Sequence, residues 1–216
     1  MPEISEEDTA WCLPRMYFDL LSRRAGTART YPKHAIGVNE GDRSDIMYLV
    51  LSGKVKVFLS GESGREFTLR TQGPGTYFGE MILDGGQRSA SVTVVEPAKL
   101  RAVTLVELRA FLSEYPDAAI EMLRGCLRNI RGLTRKLGDL ALMDTYGRVA
   151  RLLLDMAVDE KGHLVIERKP TQQGLASQAG CSRAMISRIM KDLRAGGYLR
   201  EEGSRLIIAR KPPKYW

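Results

Sequence analysis

The sequence predicts an α+β chain in three parts: an N-terminal antiparallel β-barrel of the jelly-roll kind over residues 1–115, a long helix over 116–144, and a winged helix-turn-helix over 145–216. Three observations predict this. Between residues 46 and 104, short apolar or alternating runs are cut by glycine-bearing turns. From residue 116, apolar side chains recur at steps of three and four. Around Gly180, two short helical patterns meet and two alternating runs follow. Period two is the mark of strands, period 3.6 that of helices.

In the first part, residues 46–51 form an apolar run closed by Ser52-Gly53, and residues 54–59 alternate polar and apolar. Gly61 to Gly64 supply a hairpin turn into residues 65–70, where Phe67 and Leu69 share one face. Runs at 90–95 and 100–104 follow, with turns at Gly41-Asp42, Gly73-Pro74-Gly75 and Glu96-Pro97. Many short strands with closely spaced turns predict a closed barrel or jelly roll.

In the second part, Leu123, Leu127, Ile130, Leu133, Leu137, Leu140 and Met143 form one stripe, with Arg124, Arg128, Arg131, Arg135 and Lys136 largely between them. The stripe is wide enough to cover its own domain and to meet a second copy, which predicts a homodimer.

In the third part, Val149, Leu152, Leu153 and Met156 lie at helical spacing, Asp159 to Gly162 form a polar loop, and 163–167 reads as a strand. Thr171 caps one short helix and Ser182 caps the next across Gly180-Cys181. The second helix is polar at its start and apolar at Met185, Ile186, Ile189, Met190 and Leu193; residues 198–202 and 205–209 then predict a two-stranded wing, trailed by Arg210, Lys211 and Lys214. Such a unit reads the major groove of DNA. Arg183, Ser187 and Arg188 are expected to reach base edges; Thr171, Gln173, Ser182 and Lys191 are expected to touch phosphates.

Charge supports this division. Residues 1–144 carry 19 Lys+Arg and 19 Asp+Glu, whereas residues 145–216 carry 14 Lys+Arg and 7 Asp+Glu. The excess lies in the part that would meet a polyanion. The chain has no apolar run long enough to span a membrane and an acidic start (Glu3, Glu6, Glu7, Asp8), so a cytoplasmic, membrane-free protein is expected. Cys12, Cys126 and Cys181 are far apart, and His34 and His163 are the two imidazoles. Neither a disulfide framework nor a metal or nucleophilic centre is suggested.

One loop carries chemistry of its own, from Phe78-Gly79-Glu80 to Arg88-Ser89-Ala90. A glycine lets backbone N–H groups of Ser89 and Ala90 approach an anion, Arg88 supplies a forked cation, Ser89 a hydroxyl donor, and Glu80 an acceptor for a sugar hydroxyl.

The order of these parts, with Gly79-Glu80, Arg88-Ser89, Gly138-Asp-Leu-Ala141, Asp144 and Gly180-Cys-Ser-Arg183…Arg188, resembles the cyclic AMP receptor protein and fumarate-nitrate reductase regulator (CRP/FNR) superfamily of bacterial transcription regulators. The resemblance implies a cyclic-nucleotide-binding barrel, a dimerisation helix, allosteric control by a cyclic nucleotide, cyclic AMP rather than cyclic GMP, a palindromic double-stranded operator, and RNA polymerase as a further partner. The 159–162 loop would be a point of contact with the polymerase. It implies Glu80 on ribose, Arg88-Ser89 on the cyclic phosphate, and Leu133 and Thr134 at the base. Three departures stand out. The 79–88 loop is shorter than in the cyclic AMP receptor protein, Leu133 replaces a hydroxyl residue, and Ala184 replaces the usual glutamate of the recognition helix. The cysteines do not match an iron-sulfur sensor, and the two histidines argue against haem. A regulator that needs no nucleotide, or senses something else, is the rival within this class. A cupin-like metalloenzyme, outside it, lacks ligands beyond His34. The protein is expected not to be an enzyme.

Overall fold

The computed structural model describes residues 12–160 and 162–212. The acidic start from Glu3 to Asp8, Lys161 and Lys214 lie outside them. The chain divides into two compact units, one made of residues up to Gly61 with Thr68–Thr134, the other of Glu62–Phe67 with Arg135–Trp216.

The first unit begins with α1 (Arg15–Arg24), followed by β1 (Ala28–Tyr31), β2 (Ile36–Val38), β3 (Ile46–Ser60), β4 (Glu66–Gln72) and β5 (Tyr77–Phe78). A 3₁₀ turn (Glu80–Leu83) leads to β6 (Ser91–Thr104), α2 (Leu105–Glu114) and the start of α3 (Pro116–Leu142). The sheet does not close into the barrel that the sequence predicts. It is an open six-stranded antiparallel sheet of order β1-β6-β3-β4, with β2 added to β6 and β5 to β3. The physical reason lies at two expected turns. Ser52-Gly53 and Glu96-Pro97 do not reverse the chain; they face each other inside one continuous β3–β6 ladder, whose register shifts between Val50 and Val55. Gly53 takes φ +78° there, and a Cβ would lie within 2.5 Å of Ala98 Cα, so the bulge needs glycine. Four expected short strands thereby become two long bent ones, and β1 and β4 remain as edges.

Two apolar cores flank this ladder. One gathers Leu21, Met47, Leu49, Tyr77, Val103, Leu108 and Met122; the other gathers Val50, Val55, Val57, Phe78, Val92, Val94 and Leu100. Thr104 closes β6 and opens α2 through a reciprocal capping box with Glu107. Pro116 then begins α3, where its missing N–H costs nothing.

The stripe on α3 does not cover its own unit, as the sequence led us to expect. Ala118, Met122 and Gly125 pack inward instead. Leu123, Leu127, Ile130, Leu133, Leu137 and Leu140 are all exposed, from 38% at Leu133 to 67% at Leu137.

The second unit holds the end of α3, α4 (Thr145–Asp155), β7 (Val158–Glu160), β8 (His163–Ile166), α5 (Gln172–Ala179), α6 (Arg183–Ala195), β9 (Leu199–Glu202) and β10 (Arg205–Ile208). Where the sequence predicts a separate strand and a two-stranded wing, one four-stranded sheet of order β7-β8-β10-β9 forms. Part of the expected 159–162 loop is β7, which pairs with β8. Tyr146, Val149, Leu153, Leu175, Ile186, Leu193, Leu206 and Ile208 share its core. Arg205 ties the sheet together by reaching Glu160 and Glu167.

Candidate effector site and DNA interface

The loop from Gly79 to Ala90 is pinned by one side chain. Arg88 is 6% exposed, and its guanidinium donates to Gly79 O at 3.0 Å, to Ser44 Oγ at 2.9 Å and to Ile46 O. Its backbone N–H donates to Asp42 O, and its carbonyl accepts from Gly41 N–H, both at 2.9 Å. Gly79 adopts φ +86°, and a Cβ there would collide with Arg88 Nη1. The glycine is therefore set as much by the arginine's need for space as by the turn. Burial lowers the Arg88 pKa from its ordinary value, against the opposing pull of Tyr48, Glu80, Asp42 and Asp45.

Glu80 follows in the first turn of the 3₁₀ segment and is buried. Burial pushes its carboxyl above the ordinary range, while Arg70, the backbone N–H groups of Glu80 and Gly79, and Arg88 pull it down. Two polar atoms here have no hydrogen-bond partner although they are buried: Arg88 Nε, a donor, and Glu80 Oε2, an acceptor. A donor and an acceptor left bare within one short loop are each costly unless a ligand meets them.

The structure thus brings Gly79, Glu80, Arg88 and the buried Ala90 into one nest, with Ser89 exposed at its rim. Leu133 and Thr134 are exposed on α3, and the Thr134 hydroxyl donates to Ile130 O at 2.9 Å. Among the described residues, neither of them makes a hydrogen bond or ion pair with the nest. The sequence reading missed other members. Thr68 and Gln72 are buried on the face of β4 that also carries Arg70, so the polar face of this strand is the covered one and Phe67 and Leu69 occupy the other. Gln72 Nε2 donates to Tyr77 O at 2.9 Å. Burial lowers the Arg70 pKa, opposed by Glu80, Tyr77 and Cys126; it raises the hydroxyl of the wholly buried Tyr77 and the thiol of Cys126. The signal was present in the alternation of Thr68, Arg70 and Gln72, but polar residues at alternate positions ordinarily mark the solvent face.

The second unit presents the other site. Gly180 turns in the left-handed region at φ +66° between α5 and α6. Thr171 Oγ1 accepts from Gly174 N–H at 3.0 Å, and Ser182 Oγ accepts from Met185 N–H at 3.2 Å, so both hydroxyls serve as helix caps. Ile186, Ile189, Met190 and Leu193 bury one face of α6, but Met185, expected among them, is 40% exposed. Arg183, Ser187, Arg188 and Lys191 lie together on the exposed face, and Gln173 is exposed on α5. Nearby cations are spent otherwise: Glu201 holds Lys169 at 2.7 Å and Arg194 at 2.6 Å. Cations left over on the outer face of a capped second helix have the chemistry to meet phosphates and guanine edges.

Among the described residues no helix is long and apolar enough to cross a membrane, and no cluster of His, Cys, Asp or Glu could hold a metal ion. Residues 28–115 match the model of the cyclic nucleotide-binding domain, and residues 147–214 that of the Crp-like helix-turn-helix domain. The chain is 32% identical over 184 residues to a CRP-like cAMP-activated global transcriptional regulator of Mycobacterium tuberculosis, covering 83% of this chain and 82% of that one. It is similar in structure to the c-di-GMP responsive global regulator CLP of Xanthomonas campestris, with a TM-score of 0.77 and 23% identity over 90% of this chain and 99% of that one. It is also similar to the catabolite activator protein of Thermus thermophilus, with a TM-score of 0.54 and 30% identity over 92% of each chain. With a bare polar pair in the first unit and a cationic helix face in the second, the chain belongs to the CRP/FNR superfamily of transcription regulators.

Proposed function

We propose that this chain is a homodimeric, DNA-binding transcription regulator in which residues 1–115 sense a cyclic nucleotide, 116–144 connect and dimerise, and 145–216 bind a palindromic operator. The bare pair of Arg88 Nε and Glu80 Oε2 carries the reading. A cyclic phosphate oxygen accepts from the first and a ribose hydroxyl donates to the second, and these two groups are adjacent in a 3′,5′-cyclic nucleotide. Ser89 and the backbone N–H groups of Ser89 and Ala90 supply further donors to the phosphate. Cyclic AMP enters as a candidate from the names of relatives such as the mycobacterial regulator. RNA polymerase is the further partner that a regulator of this family would engage.

A second copy of the chain is the occupant this reading gives the exposed stripe of α3, because six large apolar side chains in a row are a liability on a lone surface. Ile130→Glu places a charge in that seam and is expected to sediment as a monomer. A dimer of unchanged stability would remove the stripe from the interface.

In the DNA-binding part, Arg183, Ser187 and Arg188 face bases while Thr171, Gln173, Ser182 and Lys191 face phosphates. Arg188→Ala is expected to cost about 1–3 kcal/mol and to relax choice at one base pair per half-site, whereas Lys191→Ala weakens all sequences alike. Selection from a random DNA pool checks this; identical base preferences for parent and Arg188→Ala contradict it.

Glu80 gives a test in the free protein. Its folded-state pKa lies above its ordinary value of 4.5, so the folded chain binds that proton more tightly than the unfolded one. The group's contribution to stability is therefore present below about pH 4.5 and is lost as pH rises through the folded-state value. Glu80→Gln removes the buried charge. The variant should melt higher than the parent at pH 8, by a margin that shrinks toward pH 5, while binding nucleotide less well. An equal or lower melting temperature at pH 8 contradicts the assignment.

Calorimetry tests the reading itself. The parent should release or absorb heat with a cyclic nucleotide, and Arg88→Ala should abolish the signal. A parent silent to cyclic nucleotides that still binds DNA specifically would favour the ligand-independent alternative.

A further inference from the structure

The first two turns of α6 expose apolar side chains among the cations. Their exposed residues are Arg183, Ala184, Met185, Ser187 and Arg188. Three of these carry strong hydrogen-bonding groups. Ala184 has none on its side chain, and Met185 has only a sulfur that accepts weakly. Met185 has the spacing of a core residue and yet is 40% exposed.

Helix geometry fixes where these two stand. Ile186, Ile189, Met190 and Leu193 are buried and define the inward side of α6. At about 3.6 residues per turn, Ala184 lies opposite the middle of that stripe and so holds the centre of the outward face. Ser187 and Arg188, three and four residues on, flank it one turn later, and Met185 stands beside it at the border of the buried side. The Ser182 hydroxyl, which accepts from Met185 N–H at 3.2 Å, sets the start of the helix and with it this arrangement. The centre of the outward face is thus small and apolar, which lets the helix backbone come close to the base edges of a groove.

A major-groove edge offers such a surface little to bind. Its features are donors and acceptors, which an apolar side chain would leave unpaired, with one exception: the C5 methyl group of thymine. We propose that Ala184 and Met185 form the seat for one thymine methyl in each half-site, a determinant of specificity separate from the guanine contacts of the arginines. The proposal rests on the DNA-binding reading of α6. Ala184 and Arg188 are one turn apart, with Cβ atoms about 5–6 Å from each other, and bases stack about 3.4 Å apart along a strand. The thymine therefore stands within about two base steps of the base pair that Arg188 reads.

Deoxyuridine isolates this contact, because it pairs as thymidine does and lacks only the methyl. The full-length protein is titrated at one salt concentration, with and without cyclic AMP, against the operator selected from a random pool and against copies in which each thymine in turn is replaced by uracil. Uracil at one thymine per half-site, within about two base steps of the pair at which Arg188→Ala relaxes choice, should weaken binding about fourfold, the size expected of one buried methyl-sized group. Met185→Ala should bind the thymine and uracil operators within about twofold of each other, with its affinity for the uracil operator within about twofold of the parent's. Ala184→Glu, which puts an acceptor at the same place, should shift the choice at that pair from thymine to cytosine. Indifference of the parent to uracil at every thymine overturns the assignment and leaves the DNA-binding reading intact. So does a uracil effect undiminished in Met185→Ala, or a choice of thymine retained by Ala184→Glu. A parent for which selection recovers no preferred sequence in either condition overturns both.

Discussion

The buried guanidinium of Arg88 is the constraint on which the sensing unit depends. Three groups of the 41–46 and 79 backbone and side chains must converge on it, namely Gly79 O, Ser44 Oγ and Ile46 O. That convergence forces the left-handed glycine at 79, draws the loop down on the β3 end of the sheet, and carries Glu80 out of water. A cation held this way is preorganised: it needs no rotamer search to meet an anion, so less of the binding energy goes to ordering it. The same burial leaves the free protein with a bare donor and a bare acceptor. In the proposed mechanism, a ligand that filled both would regain the stability lost in the free state, which would couple folding and sensing at one site.

In the proposed mechanism the signal leaves through α3. Residues of this helix up to Thr134 belong with the sheet and those from Arg135 on with the DNA-binding unit. Within that second unit the helix end is firmly held. Arg148 of α4 donates to Met143 O at 2.9 Å, to Ala179 O at 3.0 Å and to Thr145 Oγ1 at 3.3 Å, and Arg151 pairs with Asp139. One arginine thus joins the chain just after α3 to the C-terminus of α5, the helix before the recognition helix. Asp144, whose Oδ1 accepts from Gly147 N–H at 2.6 Å, fixes where α4 begins. Movement of α3 would reach α6 with little slack. A ligand shifts such an equilibrium only by its difference in affinity for the two arrangements.

Much of this was legible in the sequence, because local rules set it. The caps at Thr171 and Ser182, the glycine turn at 180 and the apolar spacing of α6 depend on residues a few positions apart, and the helix-turn-helix follows from them. The long helix was legible for the same reason. What it packs against was not: a stripe of leucines is equally suited to a core and to a partner, and here Ala118, Met122 and Gly125 face inward instead. The barrel failed on a long-range fact. Ser52-Gly53 and Glu96-Pro97 each look like a turn alone, and only their pairing across β3 and β6 makes them a bulge. The shared environment of Arg70, Tyr77 and Cys126 was not legible for the same reason, since it joins β4, β5 and α3, which no spacing in the chain announces.

In the proposed mechanism the effector nest and the DNA-binding face are coupled through one equilibrium. Coupling of that kind is reciprocal: the factor by which nucleotide tightens DNA must equal the factor by which DNA tightens nucleotide. The direct measurement is the nucleotide dissociation constant of the full-length protein, alone and saturated with operator DNA, beside the DNA dissociation constant with and without nucleotide. Two matching factors are expected, on the order of 5- to 150-fold. Nucleotide affinity that is the same with and without DNA would contradict it.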